Sequence, residues 1–167
     1  MNAFFPLSKV KWFLMQTEHI ARSYPATVIV TGNGSGAPLL LSEPLSFWGG
    51  YDSFQGRVLE ARHPQFGLSL AGHVMLMERS KGSSSSSSVL AEAIRNGTGP
   101  AAIIMRERDL IIGLGCIVAS ELYQKHVPVV IVSAGVWKSL SELILNHPGC
   151  LAIDATQCGD TLLNWKP

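Results

Sequence analysis

The chain has 167 residues, 47% of them hydrophobic and 15% charged, with a formal net charge of +1. That is enough apolar material for the core of one domain, which argues against disorder, and no charge imbalance points to nucleic acid or an anionic membrane. Low charge with positive mean hydropathy suits a buried chain or a subunit with a partner surface.

The first segment, "MNAFFPLSKVKWFLMQTEH", has scattered apolar residues interrupted by Pro6, Lys9 and Lys11. Its apolar run is too short for a membrane span, and it lacks the charged start and cleavage site of a signal peptide. Residues 1–25 are therefore expected to be an N-terminal extension, with Met15 as an alternative start, ahead of one domain over 26–167. A cytoplasmic location without membrane attachment is expected.

"ATVIV" (26–30) reads as a strand, "TGNGSG" as a turn, and "APLLLS" as a second strand. Gly32, Gly34, Gly36 and Ala37 match the spacing of a dinucleotide fingerprint. That fingerprint needs a helix directly after it, to face a pyrophosphate, and Pro38 with a leucine run follows instead. A β-turn is the expectation here. The next stretch is loop-rich, punctuated by Pro44, Gly49, Gly50, Gly56, Pro64, Gly67 and Gly72. Long irregular connections in a small domain often carry function.

"HVMLM" (73–77) is the next strand. "SSVLAEAIRNG" reads as a helix with Val89, Leu90, Ala93 and Ile94 on one face and Asn96-Gly97 as its stop. Then come a strand at "PAAIIM" (100–105), a helix at "GCIVASELYQKH" (115–126) and a strand at "VPVVIV" (127–132). A helix over Gly135 to Asn146 follows, with Trp137, Leu140, Leu143 and Ile144 inward. "CLAIDATQCGDTLLNW" closes the chain as a hairpin around Gln157 to Asp160. Strand–helix–strand units in the middle, with strands at both ends, put the chain in the α/β class.

The three cysteines, Cys116, Cys150 and Cys158, are odd in number and form no CxxC pair. Neither a disulfide framework nor a metal site is expected from them. His63, His73, His126 and His147 are dispersed, and no GxSxG elbow is present, which argues against a serine hydrolase.

The serine run Ser83 to Ser88 allows three readings. A flexible tether is the first, but the run sits between two halves of one β-loop-α unit, neither of which can stand alone. The second is a hydroxyl-rich helix start whose free N–H groups hold a carboxylate or phosphate, with Gly82 permitting close approach and Lys81 adding positive charge. The third adds catalysis. A serine alkoxide becomes a usable base when backbone N–H donors and a helix dipole hold it in a dry site. Ser83, the first serine after Gly82, is best placed for this, with the N–H groups of Ser84 and Ser85 following.

From Ser42 to Val132 the chain resembles the swivel domain, or small subunit, of aconitase X enzymes. The resemblance rests on "EPLSFWGGYD", "RHPQFG", "LAGHV", "KGSSSSSSVLAEAIRNGTGPAAII", and "GCIVASELY" leading into "VPVV". It implies the swivelling β/β/α fold of the aconitase superfamily, closing over a larger subunit that carries an iron–sulfur cluster, with no cofactor in this chain. It implies dehydration of a small hydroxy acid, with Ser83 as proton acceptor. Gly82, Ser84 and Ser85 would bind substrate. Trp48, Gly49 and Gly50 would line the pocket or form an aromatic-anchored turn. Two substrates occur among such enzymes, cis-3-hydroxy-L-proline and mevalonate 5-phosphate. "GSSSSSS" followed by "VLAEAIRNGT" is closer to the bacterial, hydroxyproline type. A non-catalytic anion-binding module and a purely structural subunit remain open alternatives.

Overall fold

Two short runs, Val74–Met77 and Ala102–Met105, are buried at every position. Strands covered on both faces belong in the middle of a parallel sheet, and that is where they lie. The computed structural model describes residues 21–167, so most of the expected 1–25 extension, as far as residue 20, lies outside the described residues. In chain order the strands are β1 (Arg22–Val30), β2 (Gly32–Gly36), β3 (Pro38–Leu40), β4 (Tyr51–Asp52), β5 (Arg57–Val58) and β6 (Val74–Met77), then β7 (Ala102–Met105), β8 (Val129–Ile131), β9 (Cys150–Ala155) and β10 (Gly159–Lys166). Three helices are interleaved: α1 (Ser86–Asn96), α2 (Leu110–Tyr123) and α3 (Ala134–Asn146). β1 begins at Arg22, inside the stretch assigned to the N-terminal extension, and its first residues pair with Leu162–Trp165 of β10.

The main sheet has eight strands in the order β2-β9-β10-β1-β8-β7-β6-β3. β3, β6, β7 and β8 run parallel, and β8, β1, β10, β9 and β2 alternate in direction. Its two edge strands, β2 and β3, are separated only by Ala37, so the sheet curls until its ends nearly meet. The glycine-rich "TGNGSG" is therefore not the expected turn. Its residues form β2, paired with β9 across Gly32–Gly36. Glycine is needed there for closure: a Cβ on Gly34 would run into the carbonyl oxygen of Ala101, and one on Gly36 into that of Gly72.

Alternation along β6 and β7 sorts side chains onto two layers. Met75, Met77, Ile103 and Met105 pack under α1 and α2 with Leu90, Ile94, Ile112 and Cys116. Val74, Leu76, Ala102 and Ile104 pack under α3 with Leu140 and Leu143. α1 stops where the sequence predicts, at Gly97 with φ 75°, whose N–H bonds the Ala93 and Ile94 carbonyls. α2 starts earlier than predicted, at Leu110, because Asp109 caps it by accepting from the N–H groups of Ile111 and Ile112. The α/β class expected from the sequence is the one the chain adopts, as a mixed α/β fold whose sheet curls nearly into a barrel. No helix among the described residues is long and apolar enough to cross a membrane.

The C-terminal ends of β3, β6, β7 and β8 point to one end of the molecule. The segments leaving them include Ser42–Ser46, Glu78–Ser85 and Arg106–Asp109. Ligand sites of open α/β sheets collect at this end.

Candidate active site

Phe47–Gly50 makes one kinked turn rather than a true helix. Trp48 (φ −69°, ψ 113°) and Gly49 (φ 74°, ψ −10°) have the dihedrals of a type II turn, which needs glycine at its second central position. The turn packs on the start of α1. The Ser86 hydroxyl accepts from the Trp48 N–H at 3.1 Å and lies 3.4 Å from the Ser46 hydroxyl, which donates to the Trp48 carbonyl at 2.9 Å. Ser86 is only 3% exposed, so this hydroxyl is a buried joint between the turn and the helix.

Gly82 approaches the same joint from the other side. Its φ is 98°, a left-handed value that favours glycine, and a Cβ there would overlap the Ser46 hydroxyl. The Lys81 N–H reaches the Leu45 carbonyl at 3.5 Å. On the neighbouring side, the Ser80 hydroxyl donates to Asp109 Oδ2, the carboxylate whose other oxygen caps α2. The segment before the serine run is thus tied both to the "PLSFW" loop and to a helix start.

Ser83 follows Gly82 directly and is exposed. Its carbonyl accepts from the Ser86 N–H at 2.9 Å, closing a tight first turn. Its hydroxyl accepts from the Ser85 N–H at 3.3 Å and lies 3.4 Å from the Ser85 hydroxyl. Among the described residues, the N–H groups of Ser83 and Ser84 make no hydrogen bond. The run is therefore an ordered strand-to-helix turn, and no tether joins two lobes.

Ser46, Trp48, Gly49, Gly50, Glu60, Lys81 and Gly82 line one open cleft of about 380 Å³. The fold brings together Gly49, Gly50 and Gly82 from the predicted set, with Trp48 as a wall. Ser83 adjoins the cleft through Gly82, whereas Ser84 and Ser85 are not among its lining residues. Glu60 is a cleft residue that the sequence reading did not single out. It stands in a loop just before "RHPQFG" but outside that motif, and only the fold carries it to Lys81, with Oε1 2.6 Å from the ammonium. Ser86 was hidden differently, among identical neighbours.

Three of the histidines have structural partners. His63 is 2% exposed, with Nδ1 accepting from the Gln65 N–H and Nε2 facing the Glu43 carbonyl at 3.1 Å, which pins the "SEPLS" loop. His73 and His126 pair with the Ala71 carbonyl and the Ser120 hydroxyl. Burial pushes the Cys116 thiol up to about 12, which keeps it protonated in the core. Cys150 and Cys158 are exposed at the start of β9 and in the turn after it. Among the described residues no group of three His, Cys, Asp or Glu side chains could hold a metal. The donor set of the described residues does not fit an iron–sulfur cluster, whose ligands are converging thiolates.

Comparison with known proteins agrees with this geometry. The family profile described as the aconitase X swivel domain matches residues 23–145. The chain is 43% identical over 101 residues to a cis-3-hydroxy-L-proline dehydratase of Pseudomonas aeruginosa, covering 60% of this chain and 17% of that protein. It is 45% identical over 92 residues to a phosphomevalonate dehydratase small subunit of Methanothermobacter thermautotrophicus, covering 55% of this chain and 70% of the relative. The crystal structure of Thermococcus kodakaraensis aconitase X in its holo-form aligns with a TM-score of 0.69 at 30% identity, over 85% of this chain and 98% of that one. The chain thus spans a minor part of the hydroxyproline dehydratase and most of the small subunit.

Proposed function

We propose, since this chain belongs to the aconitase X swivel-domain family, that it acts as the swivel subunit of a hydro-lyase and that Ser83 takes the proton from the hydroxy acid being dehydrated. The observation that carries the proposal is the Ser85 N–H aimed at the Ser83 hydroxyl oxygen, directly after a left-handed glycine at the edge of a cleft. A donor fixed on that oxygen lowers the cost of the alkoxide, and the positive end of α1 adds to it. The free N–H of Ser84 is left for the substrate carboxylate, the arrangement expected of an anion at a helix start.

In the reaction, Ser83 removes the proton from the carbon beside the carboxylate. The electron pair left behind forms the double bond as the hydroxyl departs from the neighbouring carbon. Ser83, Ser84 and Ser85 orient the acid and hold the proton. The iron–sulfur cluster of the family is assigned to a large partner subunit, which also closes the open side of the cleft and excludes water.

For the substrate, cis-3-hydroxy-L-proline is favoured. The helix sequence "VLAEAIRNGT" resembles the bacterial type, and the one ammonium lining the cleft, on Lys81, is already matched by a carboxylate. A phosphate dianion needs surplus positive charge at its site. Mevalonate 5-phosphate is the second reading, favoured by the similarity to the small subunits. The test is to assemble the chain with its large partner and assay both compounds. Dehydration of cis-3-hydroxy-L-proline is expected. Turnover of mevalonate 5-phosphate alone would leave the hydro-lyase and overturn the substrate choice. Turnover of neither would overturn the proposal.

A further inference from the structure

Lys81 and Glu60 do not simply neutralise each other. The Lys81 ammonium has three donors and places one on Glu60 Oε1 at 2.6 Å. The other carboxylate oxygen, Oε2, accepts no hydrogen bond among the described residues. It lies 3.7 Å from where a Cβ would stand on Gly50, so it faces bare backbone at the cleft wall. Leu59 holds it there, its N–H donating to the Gly50 carbonyl at 2.8 Å. Both charged side chains are partly open, at 39% and 31% exposure. Trp48, which is 60% exposed, lines the same cleft.

A fixed cation–anion pair with spare valences on both members has a natural complement, which is another cation–anion pair on one small molecule. An α-amino acid carries its amine and its carboxylate on a single carbon. We propose that Glu60 and Lys81 form a zwitterion subsite, with Glu60 Oε2 accepting from the substrate amine, Lys81 donating to its carboxylate, and Trp48 covering the cationic ring nitrogen. Glu60 is then the residue that sets specificity for an amino acid over a phosphate-bearing hydroxy acid. This deepens the function proposed above and rests on it. It also fixes which atom lies nearest the base. With the substrate amine held at Glu60 and its carboxylate shared between Lys81 and the Ser84 N–H, the carbon that bears both groups, the one that loses its proton, sits next to the Gly82–Ser83 step. An aromatic face beside a desolvated amine adds a cation–π attraction.

The test uses Glu60→Gln in the assembled enzyme, a change that keeps size and removes charge. Its readouts are KM and kcat for cis-3-hydroxy-L-proline and the inhibition constant of the ether analogue, in which oxygen replaces the ring nitrogen. A hydrogen bond to a charged group predicts a KM raised about 10- to 100-fold, with kcat nearly unchanged and the ether analogue binding as in wild type. A purely structural role for the Glu60–Lys81 contact would weaken substrate and analogue alike, and that result overturns the subsite, as does an unchanged KM. If wild type dehydrates hydroxyproline but Glu60→Gln behaves identically, only the subsite falls. If wild type accepts mevalonate 5-phosphate and rejects hydroxyproline, the subsite and the substrate choice fall together.

Discussion

Ser83 and Ser86 belong to one run of identical residues, and the fold uses them for opposite purposes. Ser83 is exposed beside the cleft, whereas Ser86 is 3% exposed and accepts the Trp48 N–H. The sequence singles out Ser83 because a glycine precedes it and a helix start follows. Nothing in six consecutive serines distinguishes Ser86, and its role depends on a turn that lies 38 residues away in sequence. From the sequence alone, Ser86→Ala, farther into the helix, is expected to lower turnover much less than Ser83→Ala. The structure adds a cost in stability, since removing the hydroxyl strands a partly buried N–H. A loss of about 1–3 kcal/mol of folding stability follows. Ser84→Ala, at an exposed hydroxyl in the same run, should stay within about 0.5 kcal/mol. Urea unfolding of the two variants checks this, and equal midpoints would show that the joint contributes nothing. Glu60 was invisible for another reason: a single carboxylate in a long loop acquires meaning only when folding brings it to Lys81.

Among the elements, those with a strong local signal were legible. β6 and β7 show as short apolar runs, and α1 shows as an amphipathic pattern that ends in Asn96-Gly97. β2 was not legible, because its glycines favour turns locally and its strand conformation comes from pairing with β9, more than a hundred residues on. The early start of α2 was lost because its outward residues, Leu110, Leu114 and Ile117, are apolar too, which blurs the helical period. Closure of the sheet at β2 has a sharp test in Gly34→Ala. The new methyl group would meet backbone, the Ala101 carbonyl, which cannot swing aside. Overpacking of this kind costs about 1–3 kcal/mol, and in a domain of this size each kcal/mol lowers Tm by about 2–4 °C. Gly135→Ala, in α3 with nothing near its Cβ position, should leave Tm unchanged or raise it slightly. A Gly34→Ala protein that melts with wild type would mean that the strand does not need glycine for close approach.

At the scale of the whole molecule, the curled sheet sends four parallel strand ends to one side, and the segments that leave two of them, β3 and β6, line most of the cleft. The α/β class and the β6–α1 connection that carries the serine run were readable from the order of the elements. The cleft itself was not, because it needs the Phe47–Gly50 turn and the Glu60 loop to fold over the same strand ends. The cleft is open, and the chain spans 17% of a relative that is named as a whole dehydratase. The central claim, that Ser83 is the proton acceptor of a two-part hydro-lyase, therefore has its most direct test in the assembled enzyme. The measurement is the turnover of cis-3-hydroxy-L-proline by Ser83→Ala against wild type, with thermal melting and partner association recorded on the same samples. Loss of a positioned base predicts a rate lower by about 10²–10⁴-fold or more, with melting and association intact. Near-normal turnover by Ser83→Ala would contradict the account and leave the serine run as a helix start that only cradles an anion.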